Sequence, residues 1–411
     1  MGFKLGVVGA GQFSRCFIPL FQAHPYIDEV ALAEMKSDRR EKYAKVFNIE
    51  RVYDSFDALL ESDVDAVALF TQRHLHGPQT IKALQAGKHV YSAVPAAQSL
   101  EEIEGILEEV NRSGLIYMTG ETSYYYPSTV LCRDRFKSGV FGDFVYGEAQ
   151  YIHDMLHGFY DAFKYSGGAE WKKVAGIPPM LYPTHSVSMI LSVTGAKATK
   201  VSAFGFVDKH EDGIFREGAN LWNNKFSNES ALMRTSDGGM MRINEFRRAG
   251  WGGPNSVYMS MFGTSGSFEE HAGGSAWSSL QWGAVEDITN ELHCKDRYVR
   301  LDEGDIHETL KHDFNASLAK VHHSFRLPQS FKGLPNGHFG SHQFLADDFC
   351  KAVQTGKLPP NHAWRAADYL VPGLIAHESS KRDGELLEIP DFGEPPAHWE
   401  LLDPDSFVAY K

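Results

Sequence analysis

The chain has 411 residues, 43% hydrophobic and 23% charged, which is the balance of a globular protein and is long enough for two domains. Its formal net charge of -13 argues against a nucleic-acid or anionic-membrane surface, because either would need clustered lysine and arginine. Small molecules are therefore the expected partners.

Cysteine and histidine usage argues against a disulfide framework and a metal centre. The 4 cysteines are far apart and form no C-x-x-C pair, which favours ordinary thiols in a reducing compartment. His322 and His323 have no carboxylate or cysteine at ligand spacing, so no metal is expected. No apolar run approaches the ~18 residues of a membrane span, and the start MGFKLGVVGAGQF lacks a signal-peptide cleavage site. We expect a cytoplasmic protein.

The first third of the chain alternates short β-branched runs with helical patterns, which predicts a parallel sheet with crossover helices. Gly87 and Gly114 stand where helix C-caps belong. The predicted strands cover 4–9, 29–34, 65–71, 88–94 and 115–120, with helices between them.

Beyond about residue 123 the pattern changes. Strand-like alternation with Gly-Asp and Gly-Gly turns predicts an antiparallel sheet, beginning at 143–154. One helix near 185–195 interrupts this sheet, and 271–340, rich in glycine, serine and histidine, is expected to hold long loops. Helices are predicted again over 341–356 and 363–384.

The segment GAGQFS (9–14) lies directly after the first predicted strand and before a helix. Gly9 permits a tight turn, and Gly11 lets a pyrophosphate approach the backbone, where helix N-terminal N–H groups favour negative charge. Ser14 replaces a third glycine and is small enough to keep the helix close to the strand. We predict a dinucleotide site in which Gly9, Gly11, Gln12, Phe13 and Ser14 contact the cofactor.

Glu34 ends the second predicted strand, where an acidic side chain would accept hydrogen bonds from the adenosine ribose hydroxyls. The same carboxylate would repel a 2′-phosphate, so the predicted cofactor is NAD rather than NADP. Arg39 and Arg40 follow closely, and we interpret them as a solvated helix face.

These patterns predict an α/β Rossmann domain plus an α+β domain with an open, mainly antiparallel sheet. The dinucleotide-binding domain is expected over 1–123 and the α+β substrate and oligomerisation domain over 124–340. The C-terminal helices and tail, 341–411, are expected to pack back on the first two.

A longer pattern, FTQRHLHGPQTIKALQAGKHVYSAVPAA (70–97), resembles the glucose-fructose oxidoreductase, inositol dehydrogenase and MocA (Gfo/Idh/MocA) family. Its members carry an a-T-P-n-x-x-H segment followed by G-K-H-V-x-x-E-K-P. The resemblance covers essentially the whole chain, including FGTSGSFEE and FLADDFCKAVQTGKLPP. It implies an NAD-dependent oxidoreductase in which Thr71, His74 and His76 shape the cofactor pocket. The matching residues are Thr71, His74, His76, Gly87, Lys88, His89, Val90 and Pro95.

The chain departs from the family where catalysis is expected. Ala93 and Val94 replace the E-K-P glutamate and lysine, so with Pro95 they are expected to form an apolar wall beside the nicotinamide. The family's second motif, D-x-G-x-x-H or D-x-G-x-H, becomes LYPTHS (181–186), which keeps His185 but lacks the aspartate and glycine.

The V-P-A-A and Y-P-T-H segments resemble one branch of the family, the NAD-dependent glycosidases such as the α-N-acetylgalactosaminidases. That branch also tends to show Y-I-H-D, here Tyr151 to Asp154, and a tyrosine-bearing segment after the sixth strand, here GETSYYYP (120–127). It normally keeps a glutamate before V-P-A-A, and Ala93 departs from that pattern too.

Without the lysine, proton transfer falls to tyrosine, histidine or glutamate. His185 is the foremost candidate, because histidine acts as acid or base near neutrality and the family's histidine falls at this place. Tyr182, three residues earlier at a predicted helix start, would share a face with it. Tyrosine needs an adjacent cation or the nicotinamide charge to act as a base. The remaining candidates, Tyr124, Tyr125, His153 and Glu121, also have structural interpretations as packing or hydrogen-bonding groups.

Such groups suit oxidation of a ring hydroxyl of a sugar, glycoside or polyol, in which one side chain removes the hydroxyl proton as hydride leaves. The first alternative is a redox-neutral glycoside hydrolase or lyase. There, transient oxidation to a ketone acidifies a neighbouring C–H, and a second base removes that proton so that the aglycone leaves. Water then adds and the hydride returns. This route needs no pair of carboxylates at the scissile bond. The second alternative is a non-catalytic cofactor-binding protein. By the same resemblance, the antiparallel sheet implies a homo-oligomer, either a dimer or a tetramer.

Overall fold

A computed structural model describes residues 2–251, 256–281, 283–294, 318–334, 336–405 and 410. The chain forms two compact units, each built from segments that are separated in sequence. The first unit contains Met1–Tyr126, Cys294–Ala367 and Gly393–Lys411, and the second contains Pro127–His293 and Asp368–Phe392.

The first unit is built on a six-stranded parallel sheet with the order β3-β2-β1-β4-β5-β6. Its central strands are continuous apolar runs, as expected where helices cover both faces of a parallel sheet. The order reverses direction between β1 and β4, which is where nucleotides bind in folds of this type. The strands are β1 (Phe3–Val8), β2 (Ile27–Ala33), β3 (Val52–Tyr53), β4 (Ala66–Leu69), β5 (His89–Ser92) and β6 (Tyr117–Thr119).

The crossover helices follow the predicted pattern, and their ends have local causes. In α5 the Ser99 side chain accepts a hydrogen bond from the Glu102 N–H, and Gly114 ends the helix in the left-handed region at φ 68°. The helices of this unit are α1 (Ile18–Ala23), α2 (Ser37–Phe47), α3 (Phe56–Leu60), α4 (His76–Gln85), α5 (Leu100–Ser113) and α11 (Ser341–Thr355), with short 3-10 turns at Ser14–Cys16, Arg73–Leu75, Thr122–Tyr125, Ser324–Arg326 and Gln329–Phe331.

The second unit is built on a nine-stranded sheet with the order β14-β13-β12-β11-β7-β10-β9-β8-β15. One pair, β10 with β7, is parallel, and the other pairs are antiparallel. This confirms the predicted class of a Rossmann-type sheet plus a mainly antiparallel one. The strands are β7 (Phe144–Ile152), β8 (Ala198–Val207), β9 (Phe226–Thr235), β10 (Met240–Phe246), β11 (Val257–Gly263), β12 (Gly266–His271), β13 (Gly274–Ser279), β14 (Ala284–Asp287) and β15 (Leu387–Glu388).

Helix α9 packs on β7, β10 and β11 of this sheet. Inward positions alternate along the strands, so Met241, Ile243 and Glu245 all point to the buried face of β10. The helices are α6 (Pro127–Lys137), α7 (Tyr160–Gly167), α8 (Trp171–Ala175), α9 (Thr184–Thr194) and α10 (Thr289–Leu292), with shorter helical turns at Met155–Phe159, Gly168–Glu170 and Pro179–Leu181, while α12 (Ala363–Lys381) contributes residues to both units.

Two stretches differ from the sequence prediction. Long loops were expected over 271–340, but β13, β14 and α10 form there, because Trp277 and Ile288 supply enough buried apolar surface to extend the sheet edge. The part of that stretch at 295–317 lies outside the described residues. The turns and helices between 155 and 175 were not predicted either, and they form around a buried cluster that includes Met155 and Phe163.

Within the described part of the chain, no helix is both long and apolar enough to cross a membrane, and no group of three or more potential metal-ligating side chains was found. Cys16, Cys132, Cys294 and Cys350 are all buried and unbridged.

His362 provides a test of the first unit's buried polar residues. Burial lowers the pKa of its imidazole from 6.5 to about 3, with Arg365 adding to the effect. The unfolded chain therefore binds a proton at His362 more tightly than the folded protein does. As a result, the free energy of unfolding falls as the pH drops below the unfolded-state pKa of 6.5 towards the folded-state pKa of about 3. From about pH 7 to pH 5, we expect the wild-type free energy of unfolding to fall about 2 kcal/mol more than that of His362→Gln in chemical denaturation. The exposed His398 supplies the control His398→Gln, which should keep the wild-type pH dependence.

Candidate functional site

The glycine turn after β1 has the geometry that a nucleotide site requires. Gly9 has φ 97°, and its N–H donates to Ala33 O at 2.8 Å, which ties the turn to the end of β2. A Cβ at this position would lie 2.8 Å from Phe70 O. Only glycine fits both constraints.

At Gly11, by contrast, no contact within the protein requires a glycine, and the space beside its Cα is open. A Cβ there would meet nothing nearer than Phe70 O at 3.7 Å, so the fold itself would tolerate it. Ser14 Oγ and Tyr43 OH both donate to Gly11 O, at 3.0 and 2.8 Å, and hold the loop's shape. Gln12 is exposed and Ser14 is fully buried.

The Glu34 carboxylate is held at the same edge of the sheet. Its two oxygens accept from the backbone N–H groups of Ala10, at 2.8 Å, and Lys36, at 2.9 Å. Arg40 donates to the Glu34 backbone oxygen at 2.7 Å. The carboxylate therefore contacts the glycine loop directly, in the position that suits ribose hydroxyls.

His76 ties the ends of β4 and β5 together. Its ring nitrogens lie 2.8 Å from Pro95 O and 3.1 Å from Thr71 O. Burial lowers its pKa to about 4, so at neutral pH the ring is neutral and donates its one N–H to one of these two oxygens. Thr71 Oγ1 donates to Gln79 at 2.5 Å, and His74 is half-buried. His76 is therefore a structural support beneath the predicted cofactor contacts.

Ala93 and Val94 are each 6% exposed and precede Pro95, with a cis Val94–Pro95 peptide bond. A buried carboxylate lies at the neighbouring strand end. Glu121 is 0% exposed, one Oε accepts from Ser123 N at 2.8 Å, and the Gly120 N–H just before it donates to Ser92 O at 2.7 Å. An acidic group thus remains at this edge of the sheet, although position 93 has lost one.

Tyr125 belongs to a buried charge network. Its hydroxyl donates to Asp348 and accepts from Arg326 at 2.8 Å, while Arg326 also bonds Asp348 at 2.7 Å and Asp347 at 3.1 Å. Burial and Asp348 raise its pKa well above the ordinary tyrosine value, although Arg326 opposes them. The neighbouring Tyr124 is half-buried, with its ring edge against Tyr125 at 4.9 Å.

Two histidines that the sequence analysis overlooked lie beside the glycine loop. The Phe13 ring meets His338 at 5.5 Å and His342 at 5.3 Å, both edge-on. The two imidazoles are joined, His338 Nδ1 to His342 Nε2, at 2.8 Å. Their i, i+4 spacing in HFGSH was the available signal.

In the second unit, Tyr182 and His185 lie together at the start of α9. Their ring centroids are 5.3 Å apart, and the Tyr151 ring on β7 lies 5.2 Å from His185 and 6.0 Å from Tyr182. His185 is 4% exposed. The structure thus brings both predicted proton-transfer residues into one aromatic cluster.

His153 lies just beyond the end of β7, close to this cluster. Its ring is 5.6 Å from Tyr151 and stacks on Phe159 at 4.0 Å. Burial, with Arg247 and His157, lowers its pKa to about 4, so it is neutral at neutral pH. A neutral, stacked imidazole suits hydrogen bonding to a substrate better than carrying a proton to it.

A buried ion pair that the sequence analysis did not identify lies beneath the cluster. Glu245 accepts from Arg247 at 2.9 Å and from Ser186 Oγ at 2.5 Å. A glutamate at an inward position of an alternating strand was the available signal, since such positions are normally apolar.

Comparison with known proteins places this geometry in context. Residues 3–121 match the model of an oxidoreductase family with an NAD-binding Rossmann fold. A glycosyl hydrolase family 109 protein from Streptomyces filamentosus is 23% identical over 95% of this chain and 77% of its own length. The Mus musculus trans-1,2-dihydrobenzene-1,2-diol dehydrogenase is 26% identical over 52% of this chain and 62% of its own.

Among solved structures, levoglucosan dehydrogenase in complex with NADH and levoglucosan superposes with a TM-score of 0.70 at 17% identity, over 95% of this chain and 100% of that one. At that identity the likeness establishes the shared fold. The family match confirms NAD as the predicted cofactor. The open space at Gly11 and the position of Glu34 fit that cofactor.

Gly9 and Gly11 should respond differently to the same substitution. Gly9→Ala forces a left-handed residue against Phe70 O, so we expect the free protein to lose about 1–3 kcal/mol of stability. Gly11→Ala should leave the free protein's stability nearly unchanged and lower NAD affinity at least about tenfold, because the methyl group fills the pyrophosphate's approach. Denaturation and NAD titration of both variants check this, and equal loss of stability would contradict it.

Glu34 should control the choice between cofactors. Glu34→Gln keeps an acceptor for Ala10 N–H but removes the charge that repels a 2′-phosphate, so the NADP-to-NAD affinity ratio should rise at least about tenfold. Fluorescence titration with each reduced cofactor measures the ratio. Glu41→Gln, exposed on α2, is the control, and an unchanged ratio in Glu34→Gln would refute the assignment.

Proposed function

We propose that this chain, whose residues 3–121 match the Gfo/Idh/MocA oxidoreductase family, oxidises a ring hydroxyl of a sugar, glycoside or polyol. The observation that carries this proposal is the Tyr182–His185 pair at the start of α9, packed against Tyr151. It offers two proton-exchanging side chains although Val94 has replaced the family's lysine.

NAD, when bound, accepts the hydride that leaves the alcohol carbon. The residues that would hold it are Gly9 and Gly11 at the pyrophosphate, Glu34 at the adenosine ribose, and Phe13 beside the loop. The apolar residues Ala93 and Val94 exclude water from the strand end without offering a proton.

His185 takes the hydroxyl proton, directly or through Tyr182. An imidazole accepts a proton near neutrality, and the adjacent phenol can hand one on. The neutral His153 orients the substrate by accepting a hydrogen bond from it or donating one to it. Tyr125 is not one of the proposed reacting groups, because its hydroxyl already donates a hydrogen bond to Asp348 and accepts one from Arg326.

A redox-neutral glycosidase is the second candidate, favoured by the family 109 relative that spans 95% of this chain. The first step would be the same. A second base then removes the proton beside the new ketone, the aglycone leaves, water adds and the ketone is reduced again, so net redox is zero. Tyr182 and His185 provide two acid/base groups for this sequence.

We further propose that the protein is cytoplasmic and forms a homo-oligomer through the open face of its larger sheet. Phe204, Phe206 and Leu232 on β8 and β9 are 60, 50 and 52% exposed, which is unusual for large apolar side chains on neighbouring strands.

Purified protein incubated with NAD and a panel of inositols, free sugars and nitrophenyl glycosides distinguishes the candidates. NADH formation identifies a dehydrogenase, and aglycone release without net NADH identifies a glycosidase. Neither signal, despite measurable NAD binding, would favour a non-catalytic cofactor-binding protein and sink the proposal.

Tyr182→Phe and His185→Ala should each lower kcat at least about 100-fold and leave the Kd for NAD within about twofold, because each removes a proton carrier and no cofactor contact. Tyr146→Phe on the opposite face of β7, where the hydroxyl meets Glu148, is the matched control and should keep wild-type kcat. Wild-type activity in both site variants would exclude this pair.

A further inference from the structure

The ion pair beneath His185 is wholly removed from solvent. The side chains of Glu245 and Arg247 are 0 and 4% exposed, and their closest atoms are 2.9 Å apart. Burying two charges costs several kcal/mol each, and apolar residues of similar volume often stabilise a fold as well or better. Stability alone is therefore a weak reason for this pair.

The position of the carboxylate relates it to the proton-transfer pair. Glu245 lies directly opposite Tyr151 in the parallel register of β10 and β7, and the Tyr151 ring meets His185 at 5.2 Å. Ser186, the residue after His185, donates a hydrogen bond from its hydroxyl group to Glu245 at 2.5 Å. The carboxylate thus lies beneath the first turn of α9.

Arg247 is held within this arrangement by backbone hydrogen bonds and a ring contact. One of its NH groups donates to Tyr151 O at 3.2 Å and to Phe246 O at 3.1 Å, and its guanidinium lies 4.5 Å over the Tyr151 ring. Its hydrogen bonds hold the edge of the strands and keep a positive charge beside Glu245.

We propose that Glu245 is a positioning residue for the reaction: it anchors the first turn of α9 through Ser186 and stabilises the cationic imidazole that forms when His185 takes the substrate's hydroxyl proton. This inference rests on the proposed function. The proton moves from the hydroxyl to the imidazole, no proton moves to Glu245, and the hydride leaves separately. Arg247 favours the ionised carboxylate and holds it in place.

The protonation state of Glu245 determines the direction in which kcat should change with pH. Burial raises the pKa of Glu245 to about 7, while Arg247, Ser186 and His185 oppose that rise. Below about pH 7 the carboxyl group becomes neutral and can no longer stabilise an imidazolium, so kcat for oxidation should fall with it. The titratable or charged groups that face it are His185 from α9, Tyr151 from β7, Glu229 from β9 and Arg247 from β10.

Two variants separate this role from simple loss of folding. Glu245→Gln leaves Arg247 as an unpaired buried charge, which is strongly destabilising. The double variant Glu245→Gln with Arg247→Met removes both charges and should fold. The matched control is Glu270→Gln, which removes a carboxylate on β12, a strand that is not a neighbour of β10, where it accepts from Met259 N at 3.4 Å.

The deciding measurement is the NMR titration of His185 in full-length, NAD-bound protein with isotope-labelled histidine, its signal assigned by loss in His185→Asn. In the double variant the proton affinity of His185 should fall about tenfold or more, because a nearby anion no longer favours the charged ring. Glu270→Gln should titrate like wild type. An unchanged titration in the double variant, or an equal shift in Glu270→Gln, would overturn the inference.

This titration needs no substrate, so it tests Glu245 even if no compound of the panel is turned over and the proposed function fails. Where a substrate is found, the double variant should lower kcat about tenfold or more, keep the Kd for NAD within about twofold, and move the fall of kcat at acid pH to lower pH. A fall of kcat at the wild-type pH would contradict the role of Glu245.

Discussion

A buried charge needs a partner, and this constraint organises the interior of both units. In the first unit Arg326, fully buried, bonds Asp347 and Asp348 on α11 and the Tyr125 hydroxyl after β6. Helix α11 and the end of the sheet are therefore joined by charge as well as by apolar packing. In the second unit Glu245 pairs with Arg247, which donates to Tyr151 O on the neighbouring strand β7.

The cofactor edge of the first sheet is built from backbone geometry. The Gly9 N–H donates to Ala33 O, and the adjacent Ala10 N–H donates to the Glu34 carboxylate, so one short loop fixes both the glycine turn and this carboxylate. Further along the same edge, His76 joins the ends of two strands through backbone oxygens. The loss of acidic and basic groups at Ala93 and Val94 leaves this support intact, because none of these hydrogen bonds involves their side chains.

The proposed proton transfer by a tyrosine and histidine pair, in place of a lysine, would need a different environment around the reacting proton. A lysine carries its own charge, whereas an imidazole becomes charged only when it accepts the proton, and it then benefits from a nearby anion. The aromatic surroundings of His185, formed by Tyr151 and Tyr182, exclude water but cannot neutralise that charge. The Glu245 carboxylate, which the fold pairs with Arg247, would do so in the proposed role.

Local pattern was enough to predict the parallel sheet, the glycine turn, the acidic residue at Glu34 and the helix that carries His185, because each depends on residues close together in sequence. The partners of Tyr125 and Ser186 could not be predicted in this way. Asp348 lies 223 residues from Tyr125, and Glu245 lies 59 residues from Ser186. The first contact depends on how α11 packs against the turn after β6, and the second depends on the register of β10, in which a one-residue slip would turn Glu245 to the opposite face. Tertiary packing therefore decides that Tyr125 joins a buried charge network, while Tyr182 and His185 lie together in an aromatic cluster.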